Sequence, residues 1–358
     1  MLIPELNLIP QLSRPTRVLV TGAGGAAAVS VLRALASQDV LLYAGDVDLH
    51  AVGLYLVPEH RRVLLPRGDD PAFVERVSSY CEAEEVDVLI PTVDSELIPL
   101  AERADDLRAL GTEMVLADLA TLRVCLDKLD LARACVGIVP VPRSAALDGS
   151  FRPAGWTFPV IVKPRTGSGG RGVRMVRSPE ELEGLERDGT LMVQEYLPGE
   201  EYSVDVFADQ DGRVRACVPR ARLKVDSGVA VAARTLRDAE LEGLARAVAQ
   251  RIGLRYVANV QFRRDREGWP SLLEVNPRFP GTMPLTVRAG VNMPLLAVAA
   301  ATGAEPPTGD LEFEEVAVVR HWEEVFIAAA DLKAKEPASV DERAATACVA
   351  AAAAFGTD

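Results

Sequence analysis

The chain has 358 residues and a net charge of −13, with 49 % hydrophobic and 25 % charged residues, enough material for two or three packed cores. Acidity of this size excludes a nucleic-acid backbone as the main partner, because no lysine or arginine block is present to recover counterion-release energy. No run approaches the roughly 20 apolar residues that a membrane span needs, and residues 1–15, with Glu5, Asn7 and Gln11, lack the basic-then-apolar design of a secretion signal.

In chain order, RVLVTGAGGAAAVSVLRAL (17–35) reads as a buried strand over Val18–Val20, a glycine turn, and a helix beginning near Ala26. Strands follow at 40–48 and 61–66, then a helix at about 71–83 and a strand at 86–92. Strands alternating with helices predict a parallel, doubly wound sheet, ending near 111–116. Residues 118–137 read as one helix, with Asp118 as N-cap and Gly137 as stop. A small strand-rich unit occupies 144–193; strands then return, followed by a helix at 238–252 and a hairpin. The alanine-rich tail after Ala328 fits a helix or partial disorder. The five cysteines (Cys81, Cys125, Cys135, Cys217, Cys348) form no Cys-x-x-Cys pair, and His50, His60 and His321 stand far apart. Reduced structural thiols, no zinc centre and a cytoplasmic location are expected.

The first glycine turn, Gly22-Ala23-Gly24-Gly25-Ala26-Ala27, fits G-x-G-x-x-A after a strand, with Asp46 further on. This is the dinucleotide fingerprint, in which glycines admit a pyrophosphate to a helix N-terminus and the acid binds a ribose. A tight strand-to-helix turn that holds no dinucleotide fits equally, and a nicotinamide-dependent oxidoreductase stays open on this segment alone.

A second cluster, PVIVKPRTGSGGRGV (159–173), puts Lys163 at the end of an apolar strand ahead of Gly167, Gly169, Gly170 and Gly172. Clustered glycines expose backbone N–H groups to phosphate oxygens, and the lysine adds a point charge. Because the lysine precedes the glycines and no G-K-[ST] follows, this is not a Walker A loop. A mobile surface loop beside an unrelated lysine is the plainer reading.

NVQF (259–262) and SLLEVNPRFPG (271–281) flank the turn-rich Asp265-Arg266-Glu267-Gly268. Antiparallel pairing about Glu267–Gly268 sets Gln261 opposite Glu274 and Asn259 opposite Asn276. Side chains two apart share a face, so these four converge on a patch of oxygen donors suited to Mg²⁺, or simply form the solvated side of the pair. Arg278 follows as a fork donor for phosphate.

Taken together, these motifs resemble the ATP-grasp superfamily, most nearly its carbamoyl phosphate synthetase large-subunit and L-amino-acid ligase branches, over about residues 17–300. The resemblance implies a Rossmann-like, parallel-sheet domain (1–116) without a dinucleotide and a helical connection (117–143). An ATP-grasp fold of two α+β subdomains follows, a small lid (144–193) and a large one (194–327), with the alanine-rich tail at 328–358. It assigns Lys128 and Lys163 to the nucleotide phosphates and Thr166, Gly167, Ser168, Gly169 and Gly170 to the lid. Glu195, Tyr196 and Leu197 fall to adenine, and Glu201 to ribose.

Metal ligands map onto Gln261, Glu274 and Asn276, and Arg278 steadies the transferring phosphate. A glutamine in place of a carboxylate weakens one of two expected metal positions. Arg220, Arg222 and Lys224 alternate onto one face near the intermediate, or form a surface basic strip. Asp94, Ser95 and Glu96 either receive a substrate amine or cap the next helix. The implied chemistry is ATP-dependent C–N ligation through an acyl-phosphate, with ADP and phosphate released. The cofactors are ATP and one or two Mg²⁺ ions, for which Mn²⁺ can substitute. Partners are a small carboxylate, an amino acid by branch resemblance, and an amine; a homodimer is compatible. Carboxyphosphate formation from bicarbonate is the alternative within the same fold.

Overall fold

Thr16–Thr21 (β1) is buried on both faces, as a strand inside a parallel sheet must be when helices cover both sides. The computed structural model describes residues 12, 15–167, 169–226, 229–304, 307 and 309–334, which divide into two compact units, 12–115 with 324–334, and 116–323.

In the N-terminal unit β1 leads through the glycine turn into Ala26–Leu35 (α1) and Val40–Asp46 (β2). Arg62–Leu64 (β3), Phe73–Ala83 (α2), Val88–Ile90 (β4), Asp94–Glu102 (α3), Ala104–Ala109 (α4) and Glu113–Met114 (β5) follow. All five strands pair in parallel in the order β3-β2-β1-β4-β5. Chain order reverses between β1 and β4, so the crevice at their C-terminal ends is the topological switch point. The start of the expected tail belongs to this unit: Arg62 Nη1 donates to the Asp331 carbonyl at 2.8 Å and Lys333 pairs with Glu59 at 3.1 Å. Residues 335–358, with Cys348, lie outside the described residues.

The second unit opens with Leu119–Leu126 (α5) and Lys128–Cys135 (α6), two helices where the sequence reads as one. Asp127 breaks the run: its backbone is extended, and its carboxylate caps α6 by accepting from the Leu129 and Asp130 amides. Arg165 holds that carboxylate at 2.7 Å, so the break is fixed from a distant loop. Asp118 precedes α5 without a side-chain cap bond.

Ser144–Asp148 (β6), Val160–Pro164 (β7), Arg174–Val176 (β8) and Asp188–Glu195 (β9) form an antiparallel sheet ordered β6-β9-β7-β8 around Leu147, Val160, Val162 and Val193. Glu201–Ala208 (β10), Val214–Asp226 (β11), Val229–Thr235 (β12), Ala239–Ile252 (α7), Tyr256–Arg264 (β13), Pro270–Asn276 (β14), Met283–Arg288 (α8), Met293–Ala301 (α9) and Ala317–Val319 (β15) complete the unit. Its larger sheet runs β14-β13-β10-β11-β12-β15, all antiparallel. Helix α7 covers one face with Leu241, Ala245, Val248 and Ile252 against Val204, Val206 and Val260, a 3.6-residue stripe meeting a two-residue alternation. The opposite face of that sheet is therefore left for the site.

Candidate active site

Both sheets of the second unit line one cavity of about 480 Å³, within the usual range for a small-molecule site. In a chain of net charge −13, this cavity carries seven lysine or arginine side chains against three carboxylates. An anionic ligand is the natural complement.

On the small sheet, Val160 and Val162 face the core while Ile161 and Lys163 face the cavity. Lys163 is only 7 % exposed, and burial pushes its pKa down to about 8, against the opposing pull of Glu274. The helix break at Asp127 sets Lys128 at the first position of α6, with its amide on the Arg165 carbonyl at 2.9 Å. Its ammonium then reaches the Gly167 carbonyl at 2.6 Å and Glu274 Oε2 at 3.8 Å. Gly167, Gly169 and Gly170 have φ of +107°, +71° and +68°, and a side chain at any of them would meet nothing within 4 Å. Thr166 and these three glycines line the cavity; Ser168 lies outside the described residues.

On the large sheet the register places Asn259 opposite Asn276 and Gln261 opposite Glu274, as the hairpin arithmetic predicts. A bulge after Gln261 then shifts the pairing, so that Phe262 faces Leu272. Strand β13 also pairs with β10, which adds Ser203 beside Gln261 and Asp205 beside Asn259. These two were missed, although the alternation that sends Tyr202, Val204 and Val206 into the core puts Glu201, Ser203 and Asp205 on the other face.

Asp205 is fully buried. It binds Arg220 Nη2 at 2.6 Å, Asn259 Nδ2 at 2.8 Å and the Thr286 hydroxyl, and Arg220 also donates to Thr282. Arg220 and Arg222 line the cavity, whereas Lys224 is exposed and outside its lining. Irregularities on either side of Lys224 break the alternation that would have kept all three on one face. Arg278 lines the cavity just past β14, its amide on the Asn276 carbonyl at 2.9 Å.

At the other end, Glu195, Tyr196, Leu197 and Glu201 all line the cavity beside Ile161 and Leu273. Glu201 is held by Arg222 and lies 4.0 Å from Arg263. Arg263 and Arg171 are cavity cations that the sequence reading passed over.

The first glycine turn is of another kind. A side chain at Gly22 would stand 2.4 Å from Val93 Cγ2 and 2.8 Å from Thr92 Oγ1. Asp46, the candidate ribose acid, accepts from the Gly24 amide at 2.7 Å and the Asp48 amide at 2.9 Å. The turn is close-packed, and each Asp46 carboxylate oxygen accepts one backbone amide within the unit. Glu96 is buried, pushed up to about 7 by desolvation, and accepts from the Thr21 hydroxyl at 2.6 Å. It also closes the N-terminus of α3 through the Val93 amide, while Asp94 and Ser95 form the first turn of that helix.

Comparison with known proteins follows this division. A family model described as ATP-grasp in the biosynthetic pathway with Ter operon matches residues 187–325, and one described as the PylC-like N-terminal domain matches 18–115. A D-alanine–D-alanine ligase of Thermotoga sp. (strain RQ2) is 31 % identical over 108 residues, 29 % of this chain and 36 % of that ligase. The arginine-specific carbamoyl phosphate synthase large chain of Bacillus subtilis (strain 168) is 27 % identical over 259 residues, 66 % of this chain and 24 % of that one. The chain thus spans little more than a third of the ligase and about a quarter of the synthase. N5-carboxyaminoimidazole synthetase from Staphylococcus aureus, solved with ADP, shares the fold at a TM-score of 0.69 and 14 % identity, covering 87 % of this chain and 83 % of that one.

Proposed function

We propose that this chain, whose residues 187–325 match an ATP-grasp family model, is an ADP-forming ligase of the ATP-grasp superfamily that joins a small carboxylic acid to an amine. The observation that carries this reading is one cavity in which a glycine loop with Lys128 and Lys163 faces a patch of Glu274 and Asn276. Adenine fits the end formed by Tyr196, Leu197, Ile161 and Leu273, and the ribose hydroxyls fit Glu201. The donor set of a carboxylate beside amides fits Mg²⁺, which supplies charge neutralisation on the phosphates when bound.

In this mechanism a substrate carboxylate oxygen attacks the γ-phosphorus of ATP, the bond to the β-phosphate oxygen breaks, and ADP leaves an acyl-phosphate. The amine then displaces phosphate. Lys163 and Arg278 offset the charge of the transferring group, and the Thr166–Gly172 loop excludes water that would hydrolyse the intermediate. The likeness to a D-alanine–D-alanine ligase favours an amino-acid substrate. The test is ADP release across a panel of carboxylates with hydroxylamine as trapping amine: hydroxamate formed with ADP is expected, and none with any carboxylate overturns the ligase reading.

A further inference from the structure

We propose that the edge of the small sheet carries a second, regulatory anion site. It takes a small ligand bearing phosphate or carboxylate groups and tightens nucleotide binding across the β6–β9 pair. The coupling, though not the anion site itself, rests on the nucleotide reading above. Strand β6 ends the four-stranded sheet. A groove of about 380 Å³ lies against it, lined by β6 residues, by Arg133 of α6, and by Arg143, Arg152 and Trp156. It shares no lining residue with the nucleotide cavity.

Three guanidiniums meet one carboxylate in that groove. The carboxylate, Asp148, already accepts from the Ser150 amide at 2.8 Å and from its hydroxyl at 2.6 Å. All three arginines bond the protein through Nη1. Arg133 reaches Asp130 at 3.0 Å, Arg143 the Gly155 carbonyl, and Arg152 the Gly149 and Phe151 carbonyls, each at 2.9 Å. Among the described residues no hydrogen bond engages Nε or Nη2 of any of them. That edge of a guanidinium is the one a carboxylate or phosphate grips with two parallel bonds. Arg143 is also held over the Trp156 ring, 4.4 Å from its centre, which restricts it before a ligand arrives.

The same stretch of chain reaches the nucleotide cavity. The Arg143 carbonyl accepts from the Glu195 amide at 2.9 Å, and the Arg143 amide donates to Glu195 Oε2 at 3.3 Å. Gln194 Nε2 donates to the Ser144 hydroxyl at 3.1 Å. Glu195 and Gln194 both line the nucleotide cavity. An anion fixed on Arg143 therefore orders a wall that the nucleotide also orders, and each ligand lowers the entropy the other loses.

Fluorescence of Trp156 reads the groove in a chain carrying Trp269→Phe and Trp322→Phe, which keeps one tryptophan of three. Pyrophosphate and citrate, titrated separately, tell a phosphate source from a carboxylate one. A saturable change with at least one of them is expected. Its midpoint should rise about tenfold in Arg133→Gln and in Arg152→Gln and stay put in Lys163→Met. No saturable change with either anion, or a midpoint that follows Lys163 and ignores the arginines, overturns the site. The second arm is calorimetry of ADP binding with and without the anion. ADP affinity should rise about fivefold, and should not rise in Arg152→Gln. An unchanged affinity overturns the coupling, as does a lowered one, the mark of competition inside the cavity. ADP that fails to bind even without the anion overturns the nucleotide reading, while the fluorescence arm still decides the groove.

Discussion

The two glycine turns look alike in sequence and serve opposite purposes. At Gly22 the absent side chain makes room for the protein itself: Thr92 and Val93 come within 3 Å of where a Cβ would stand, and the turn is closed by Asp46. At Gly167, Gly169 and Gly170 the absent side chains make room for nothing in the chain. Their backbone faces a cavity rich in lysine and arginine. Open backbone amides are what a glycine cluster offers a phosphate, and cations standing opposite strengthen that offer.

The largest effect that tests this contrast is expected beneath the second turn. Glu274→Ala removes the single carboxylate of the hairpin patch and is predicted to lower ATP turnover by about 10³-fold, with the fold intact by circular dichroism. Near-normal turnover would separate the glycine loop from any phosphate chemistry. Next comes a pair of matched substitutions. Gly22→Ala meets both a φ of +68° and a 2.4 Å clash, and should destabilise the N-terminal unit by about 2–3 kcal/mol. Gly170→Ala has the same φ of +68° and open space, so it should cost about 1 kcal/mol of backbone strain, lower ADP affinity a few-fold and lower the thermal midpoint by only about 2–4 °C. Equal losses of stability in the two would erase the distinction.

The smallest effect is read against pH. Burial holds Lys163 at about 8 in the free protein, and phosphate oxygens beside it would favour the ammonium and raise that value. Above pH 8 the complex then binds more protons than its free components, so ADP binding takes up a proton and weakens as pH rises. The limit is about tenfold per unit. Calorimetry at pH 8.5 in two buffers of different ionisation enthalpy measures the uptake; none would take Lys163 off the phosphates.

What the sequence determined by itself is the part set by local geometry. Two-residue alternation puts Asn259, Gln261, Glu274 and Asn276 on one face of the hairpin, while their register also needs the bulge after Gln261, because the pairs nearest the turn centre on Glu267. Alternation likewise turns Lys163 away from the core of Val160 and Val162. The tertiary structure decided the rest, because those features depend on partners far along the chain. Arg165 helps hold the break at Asp127 that puts Lys128 over the cavity. Asp205 buries Arg220, and bulges carry Lys224 off the face that sequence spacing assigns it. Thr92 and Val93, some seventy residues beyond Gly22, fill a turn that reads as a dinucleotide site. Periodicity records how a strand presents its own side chains; which elements meet, and so which charges are buried or which loops stay open, is fixed only by packing.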